Sequence, residues 1–270
     1  MDNNIDNYQE ALDEMYRNNP DIEKVVSLLE KSSNAGDSRA TYALATWYLH
    51  GKYFRKNIKK AVKLLRQAAS DNEPNALFDI AVCYETGNGV TQDKEEAFKW
   101  YKKAADQGND GAQSSLGYMY DTGDGVAQDK EEAFKWYKKA ADQRDAGAQY
   151  ALGLMYLYGE GITQDYREAF KWFRGAADQG YVGAQYDLAL MYLHGESITQ
   201  NYQEAFKWFK KAADQGYAEA QNNLGLMYYN GLGVAKNNRE AFKWFKKAAD
   251  QGNSNAENNL KGQSTVDKDV

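Results

Sequence analysis

The chain has 270 residues and a net charge of −6, from 33 basic and 39 acidic side chains. This balance argues against nucleic acid as a partner, because a duplex-binding surface needs clustered lysine and arginine. Cys83 is the single cysteine, so an internal disulfide framework is excluded. The polar, acidic start and the lack of a stretch of about 18 apolar residues predict a cytoplasmic protein without membrane insertion. Delivery by a signal-free route stays open.

A period of 36 residues organises the chain. The letters AFKW begin at Ala97 and return at Ala133, Ala169, Ala205 and Ala241. A fixed period between roughly 20 and 50 residues is typical of stacked supersecondary units. The pattern predicts a divergent capping repeat over 1–39, six repeats, and a half-repeat with a mobile tail over 256–270. The six repeats are 40–75, 76–111, 112–147, 148–183, 184–219 and 220–255.

The first unit differs from the others in the way expected of an end of the array. Val25, Leu28 and Leu29 hold the apolar positions, while Ser32 and Ser33 replace the alanine pair of the later units. A terminal repeat has a neighbour on one side only, so its outer face meets solvent. The sequence therefore predicts a solvent-facing end cap.

The first half of each later unit predicts an amphipathic helix. In the fourth repeat, Ala148, Leu152, Met155 and Tyr156 have the spacing i, i+4, i+7 and i+8 of one helix face. Glycine pairs then end the helix and turn the chain, because glycine adopts positive φ without steric cost. These pairs are Gly87 and Gly89, Gly123 and Gly125, Gly159 and Gly161, and Gly231 and Gly233.

The second half of each unit predicts another helix. Its start is marked by an aspartate or asparagine with a glutamate three residues later, a spacing in which the first side chain caps the helix. A glycine follows the helix at the position of a left-handed cap, with Arg144 as the exception among the full repeats. The expected caps are Asp93, Asp129, Asp165, Asn201 and Asn237, and the expected buried anchors between units are Trp100, Trp136, Trp172, Trp208 and Trp244.

The shared pattern A-x-x-x-L-G-x-M-Y-x-x-G-x-G-V-x-x-D-x-x-x-A-x-x-W-Y-x-K-A-A-x-Q-G resembles the Sel-one-like repeat, a longer-looped relative of the tetratricopeptide repeat. The resemblance extends from Ala40 to Gly252. It implies an all-α fold, a right-handed α-solenoid superhelix of 36-residue helix-turn-helix repeats that acts as an adaptor for other proteins. Some bacterial relatives tie each unit with a disulfide, and the single cysteine separates this chain from them.

Positions that vary between repeats share one face of the first helices, opposite the packing face. The resemblance implies that this face lies on the concave surface. Aromatic residues clustered with leucines are typical of interaction hot spots. The alternative is that the leucines pack against the adjacent helix. The predicted partner-binding residues are Tyr118, Tyr150, Leu154, Leu157, Tyr158, Tyr186, Leu190, Leu193, His194 and Tyr229.

Charged residues receive two further interpretations. Glu85 and Asp121 lie at the N-terminal side of the variable face and are expected to favour a basic end of the ligand. A lysine recurs in every second helix, and Glu95 and Glu131 lie one turn before two of these lysines, which predicts a solvated, internally paired face. The recurring lysines are Lys99, Lys135, Lys171, Lys207 and Lys243.

The sequence shows no arrangement that predicts catalysis. His50 and His194, the two histidines, lie four units apart, too far to share a metal ion. No nucleophile is accompanied by a base and an orienting group, so we expect neither an enzyme nor a cofactor. The sequence predicts a monomeric scaffold or adaptor that binds a protein or peptide segment in the concave groove. A binder of sugar or peptidoglycan fragments through the tyrosine-lined groove is the alternative.

Overall fold

The computed structural model describes residues 6–195 and 198–266, with side chains described up to residue 261. Within these ranges the chain forms fifteen α-helices and no strand. In chain order they are α1 (Asn7–Met15), α2 (Ile22–Asn34), α3 (Ser38–His50), α4 (Ile58–Ser70), α5 (Pro74–Thr86), α6 (Lys94–Asp106), α7 (Asp110–Thr122), α8 (Lys130–Asp142), α9 (Ala146–Tyr158), α10 (Tyr166–Asp178), α11 (Val182–His194), α12 (Tyr202–Asp214), α13 (Ala218–Asn230), α14 (Asn238–Ala249) and α15 (Ser254–Val266).

Side-chain caps start the second helices where the sequence predicts them. Asp93 Oδ1 accepts a hydrogen bond from the N–H of Glu96 at 2.9 Å. The N–H of Asp93, which the glutamate would bind in a closed capping box, donates instead to the carbonyl of Tyr84 at 2.9 Å. This bond ties the start of α6 to the end of α5. The same side-chain cap forms at Asp129, Asp165, Asn201 and Asn237.

Left-handed backbone conformations follow the helices at the predicted positions. Gly159 ends the first helix α9 with φ of 71°, and Gly108 follows the second helix α6 with φ of 91°. Arg144 follows α8 with φ of 72° and Asn72 follows α4 with φ of 59°, so Arg144 is not the single exception, and the conformation is kept where the glycine is missing. The N–H of Asp145 then donates to the Ala140 carbonyl at 3.1 Å, a bond that requires this reversal of the chain.

The chain divides into two compact units, residues 1–139 and 140–270, with the boundary inside α8. Consecutive helices pack on each other from α1 to α7 in the first unit and from α9 to α15 in the second. The core of the first unit includes Leu29, Leu44, Leu65, Leu77, Ile80, Tyr101 and Leu116, and that of the second includes Leu152, Phe173, Leu188, Phe209, Leu224 and Phe245. Consecutive helix pairs with shared cores confirm the predicted all-α repeat solenoid.

The tryptophan ladder is buried at three of its five positions. Trp136, Trp208 and Trp244 are 5%, 1% and 7% exposed, whereas Trp100 and Trp172 are half-buried. The prediction of five core anchors is therefore right for three of them. The smaller residues on the same helices carry the rest of the contact, because the paired alanines of every second helix from α6 to α12 are buried.

The last helix, α15, packs Ala256 against the cluster around Phe245. It extends to Val266, so part of the predicted tail is helical. Residues 267–270 lie outside the described residues, and the mobility of the tail stays a prediction. The first helices begin about two residues before the predicted repeat boundaries, for example at Pro74 and Ala146.

Candidate functional site

The predicted partner-binding residues all lie on first helices, but they differ in exposure. Tyr118, on α7 of the first unit, is 51% exposed. The other nine lie on α9, α11 and α13 of the second unit, and we call them the tyrosine face. Tyr158 is 66% exposed and His194 is also exposed. The half-buried members are Tyr150, Leu154, Leu157, Tyr186, Leu190, Leu193 and Tyr229.

The two tyrosines in the middle of the face are held by aromatic contacts. The ring of Tyr150 lies 5.7 Å from that of Phe173 and 4.8 Å from that of Tyr181. A Cβ at Gly183 would lie 3.1 Å from Cζ of Tyr150, so the glycine permits this approach. The arrangement recurs one repeat later, where Tyr186 lies 5.7 Å from Phe209 and 5.1 Å from Tyr217.

A half-buried carboxyl group lies beside the first of these tyrosines. Asp187 on α11 lies close enough to the Tyr150 hydroxyl group to interact with it. Burial raises the pKa of Asp187 and outweighs the opposite effect of this hydroxyl group. Burial and the neighbouring carboxylate together raise the pKa of the Tyr150 phenol. Tyr186 has an amide partner, Asn223, in the place of this aspartate.

Two residues of this surface, Tyr181 and Tyr217, are missed by the sequence reasoning. They stand at the N-caps of α11 and α13, neither of which has a side-chain cap hydrogen bond. The same position is a capping side chain in the earlier first helices: Asp37, Glu73, Asn109 and Asp145. The exchange of a polar cap for an aromatic ring in two neighbouring repeats is the signal that could have found them.

The leucines of the tyrosine face have a packing role. Leu154, Leu157, Leu190 and Leu193 are partly buried against the hydrophobic cluster of the second unit. This is the alternative interpretation that the sequence left open for the leucines. Exposed surface on this face therefore comes mainly from tyrosine side chains and His194.

Glu85 and Asp121 of the first unit have partners within the chain, and their expected preference for a basic ligand stays a prediction. Tyr101 Oη donates to Glu85 Oε2 at 2.6 Å, and Lys94 Nζ lies 3.8 Å from the same carboxylate. Asp121 Oδ1 accepts a bond from Lys130 Nζ at 2.6 Å. Both carboxylates thus have basic or hydroxyl partners within the chain.

The recurring lysines are paired as predicted, but with other partners. Lys99 bonds Glu96 at 3.1 Å and Lys135 bonds Glu132 at 2.5 Å, each three residues earlier. The prediction that Glu95 and Glu131 fill this role is wrong, because the i−3 side chain lies closer on the helix surface here. The other pairs are Lys171 with Glu168, Lys207 with Glu204 and Lys243 with Glu240.

Two properties of the described residues bear on other functions. No group of three or more histidine, cysteine, aspartate or glutamate side chains among them could hold a metal ion. No helix in the same part of the chain is both long and apolar enough to cross a membrane.

Comparisons with known proteins agree with this architecture. A model of the Sel1 repeat matches residues 38–73, 74–109, 111–145, 146–181, 182–217 and 218–253. Among solved structures, the chain is similar to c5321, described as a protective antigen present in uropathogenic Escherichia coli strains and displaying an SLR fold. The two are 34% identical with a TM-score of 0.88. The match covers 94% of this chain and 55% of c5321, so the chain spans about half the length of that protein.

A second similar structure is a Sel1 repeat protein from Oxalobacter formigenes, with 32% identity and a TM-score of 0.75. That match covers 84% of this chain and 94% of the other. A comparison with curated proteins gives no match. From the six matched repeats and these two structures, the chain belongs to the Sel1-repeat family, whose members are generally non-enzymatic scaffolds for protein interactions.

Proposed function

We propose that the protein is an interaction scaffold that binds a helical or extended segment of another protein along the tyrosine face. The family resemblance implies that this face lies in the concave groove. Tyrosine rings bury a large area with few rotamers to restrict, and their hydroxyl groups can stay hydrogen-bonded. Tyr118 on α7 is proposed as a contact of the same kind in the first unit.

The observation that supports the proposal most is the exchange of helix caps for aromatic rings. Replacing a polar N-cap costs roughly 0.5–2 kcal/mol of stability. Tyr181 and Tyr217 are the N-cap residues of α11 and α13, and neither makes a side-chain cap hydrogen bond. Their rings lie beside those of Tyr150 and Tyr186. Tyr181 stays 38% exposed, so its contact with Tyr150 leaves ring surface for a partner. An aromatic surface built at the expense of stability is typical of a binding function.

The test uses exposed members of the face. Tyr150 and Tyr186 pack on Phe173 and Phe209, so removing them would disturb the core as well as the surface. The double variant Tyr158→Ala with His194→Ala removes exposed side chains only. The matched control is Lys135→Ala with Lys171→Ala, on the paired lysine face. The partner is identified first by affinity purification with mass spectrometry.

We expect the variant with Tyr158 and His194 removed to bind the purified partner at least about tenfold more weakly, as for interface hot spots. The lysine control should bind like the wild type. The opposite order, with binding lost only in the lysine control, would show that the working surface is elsewhere. Binding of peptidoglycan fragments by the wild type, lost in the tyrosine variant, would favour the sugar-binding alternative. Tyr118→Ala is measured separately.

A further inference from the structure

Helix α4 differs from every later second helix in its charge. Where α6 has Glu95 and Glu96, α4 has Lys59 and Lys60. The segment 52–70 contains seven basic residues and no acidic residue, in a chain of net charge −6. The recurring lysine of this position, Lys63, therefore has no glutamate three residues before it on its own helix. The basic side chains are Lys52, Arg55, Lys56, Lys59, Lys60, Lys63 and Arg66.

The same helix also differs in one apolar position. Val62 stands where the later second helices carry phenylalanine. In α6 the phenylalanine ring reaches a tyrosine on α7, the next first helix. The ring centres of Phe98 and Tyr120 lie 5.4 Å apart. The same pair recurs as Phe170 with Tyr192 at 5.5 Å and Phe206 with Tyr228 at 5.3 Å.

An open cavity of about 490 Å³ lies at this place in the first unit. Val62, Tyr84 and Val90 are its apolar and aromatic lining, where Tyr84 is the counterpart of Tyr120. The volume lies within the range of roughly 300–1,000 Å³ that is usual for ligand sites. Val62 is buried beneath this cavity, at the position where the later repeats carry a phenylalanine ring. We call this space the α4 cavity.

The rim of the α4 cavity carries Lys59, Lys63 and Arg66. Arg66 Nη2 donates to Tyr84 Oη at 2.9 Å, which holds the guanidinium at the edge of the cavity. Lys59 and Lys63 are exposed. Asp93 is the carboxylate among the described lining residues, and its Oδ1 already accepts the cap hydrogen bond from Glu96. An anionic group at this rim would meet three cations.

We propose that the α4 cavity binds an acidic segment of a partner polypeptide through one large apolar side chain with carboxylates on either side. The apolar side chain fills the space between Val62, Tyr84 and Val90, and the carboxylates pair with Lys59, Lys63 and Arg66. The α4 cavity shares no residue with the tyrosine face. It selects an acidic segment, whereas the ligand expected beside Glu85 and Asp121 is basic.

Two observations favour a peptide over a nucleic acid or a membrane surface. Part of the cavity lining is apolar, which suits a side chain and has no equivalent in a phosphate backbone. The chain has 33 basic and 39 acidic residues, so concentrating seven basic ones in one segment makes the remaining surface more acidic. A long polyanion would meet that acidic surface, whereas a short segment meets only the basic strip.

The test measures binding of the peptide Asp-Glu-Asp-Phe-Glu-Asp-Glu, with serine in place of phenylalanine as its control, by fluorescence anisotropy on the full chain. Val62→Phe restores the residue of the later repeats and fills the cavity. Lys63→Glu reverses one rim charge. Lys243→Glu, the same change at the equivalent position of α14, is the matched control. Thermal unfolding checks that the variants are folded.

We expect Val62→Phe to weaken binding of the phenylalanine peptide at least about tenfold, since burying one such side chain accounts for a factor of that order. Lys63→Glu should weaken binding about threefold or more at low salt, with a smaller effect at high salt. Lys243→Glu should leave the affinity unchanged. Any of four results would overturn the proposal. They are unchanged binding by Val62→Phe, equal affinity of the wild type for the serine peptide, no binding by the wild type, and a preference for a single-stranded oligonucleotide or anionic vesicles.

Discussion

At some single positions, the backbone conformation rather than a side-chain contact decides which residue is favoured. The residue after each second helix adopts a left-handed conformation, with φ of 93° at Gly180 and 72° at Arg144. A Cβ is unfavourable there by roughly 1–2 kcal/mol, so the arginine is strained where its neighbours are not. A Cβ at Gly180 would meet nothing within 4 Å, which leaves the backbone as the only source of the cost.

Arg144→Gly is therefore expected to raise the free energy of unfolding by about 1 kcal/mol. Gly180→Ala, at the equivalent position one repeat later, should lower it by a similar amount. Urea titrations followed by circular dichroism measure both changes. A destabilised Arg144→Gly would mean that the arginine side chain supplies more than the backbone strain removes.

The half-buried Asp187 makes stability depend on pH. Burial holds its pKa above the ordinary value of 3.8, so the folded protein resists an ionisation that the unfolded chain undergoes freely. The carboxyl group lowers stability as the pH rises above 3.8, and the loss is complete once the pH exceeds the raised pKa. Asn223 fills the equivalent place beside Tyr186, so an amide fits this site.

Asp187→Asn should therefore have a higher melting temperature than the wild type at neutral pH, with the difference disappearing below about pH 3.5. Asp214→Asn is the control, because Asp214 is exposed and pairs with Lys210. Differential scanning calorimetry at several pH values separates the two. A gain at neutral pH that persists unchanged in acid would point to packing instead of ionisation.

At the scale of helices, the lysines of the second helices do more than face solvent. Lys211 Nζ lies 3.9 Å from the ring centre of Trp208, and Arg174, on the previous second helix, lies 5.2 Å from it. Trp208 Nε1 donates to Glu204 at 3.2 Å. One buried tryptophan thus connects the cations of two neighbouring helices with the glutamate of its own helix.

Removing the buried Trp208 side chain should lower the free energy of unfolding more than removing a half-buried tryptophan. Trp208→Ala is expected to lower the free energy of unfolding by about 3–5 kcal/mol, because it leaves a large cavity between α10 and α12. Trp100→Ala, at a half-buried position of the same repeat pattern, should cost clearly less. Guanidinium titrations compare the two variants. Equal losses would contradict burial as the deciding quantity.

At the scale of the whole molecule, the first and the last described helices each cover the helix beside them. At the N-terminus, α1 and α2 cover α3, where Ala40 and Leu44 are 0% and 5% exposed. At the C-terminus, α15 covers α14 with Ala256 as its buried residue and Leu260 partly buried. Each of these helices buries apolar side chains of its neighbour that would otherwise meet water.

Deleting residues 1–36 is expected to lower the melting temperature by several degrees and to promote aggregation, since Leu44 and its neighbours would meet water at about 1.5–3 kcal/mol per large side chain. Deleting residues 262–270 should leave the melting temperature within about a degree. Thermal unfolding and light scattering measure the two effects. A large drop after the C-terminal deletion would show that this segment stabilises α14 and α15.

The helices and their ends were predictable because their causes are local. An Asp93 side chain caps an N–H three residues away, and glycines turn the chain within one helix end. The packing face was predicted equally well, because Ala148, Leu152 and Met155 are all buried. The candidate site was predicted less completely. Its helix face was inferred from the period, whereas Tyr181 and Tyr217 were missed because they are N-cap residues that lie just outside the first helices.

What the sequence determined by itself is the 36-residue unit, its two helices and its apolar faces, because backbone geometry and the helix period depend only on near neighbours. Tertiary structure alone decided which side chains meet across 16 to 37 positions. It pairs Glu85 with Tyr101 and Tyr150 with Asp187, and it leaves a cavity beside Val62. These outcomes depend on how closely neighbouring helices approach each other and on the sizes of the side chains between them.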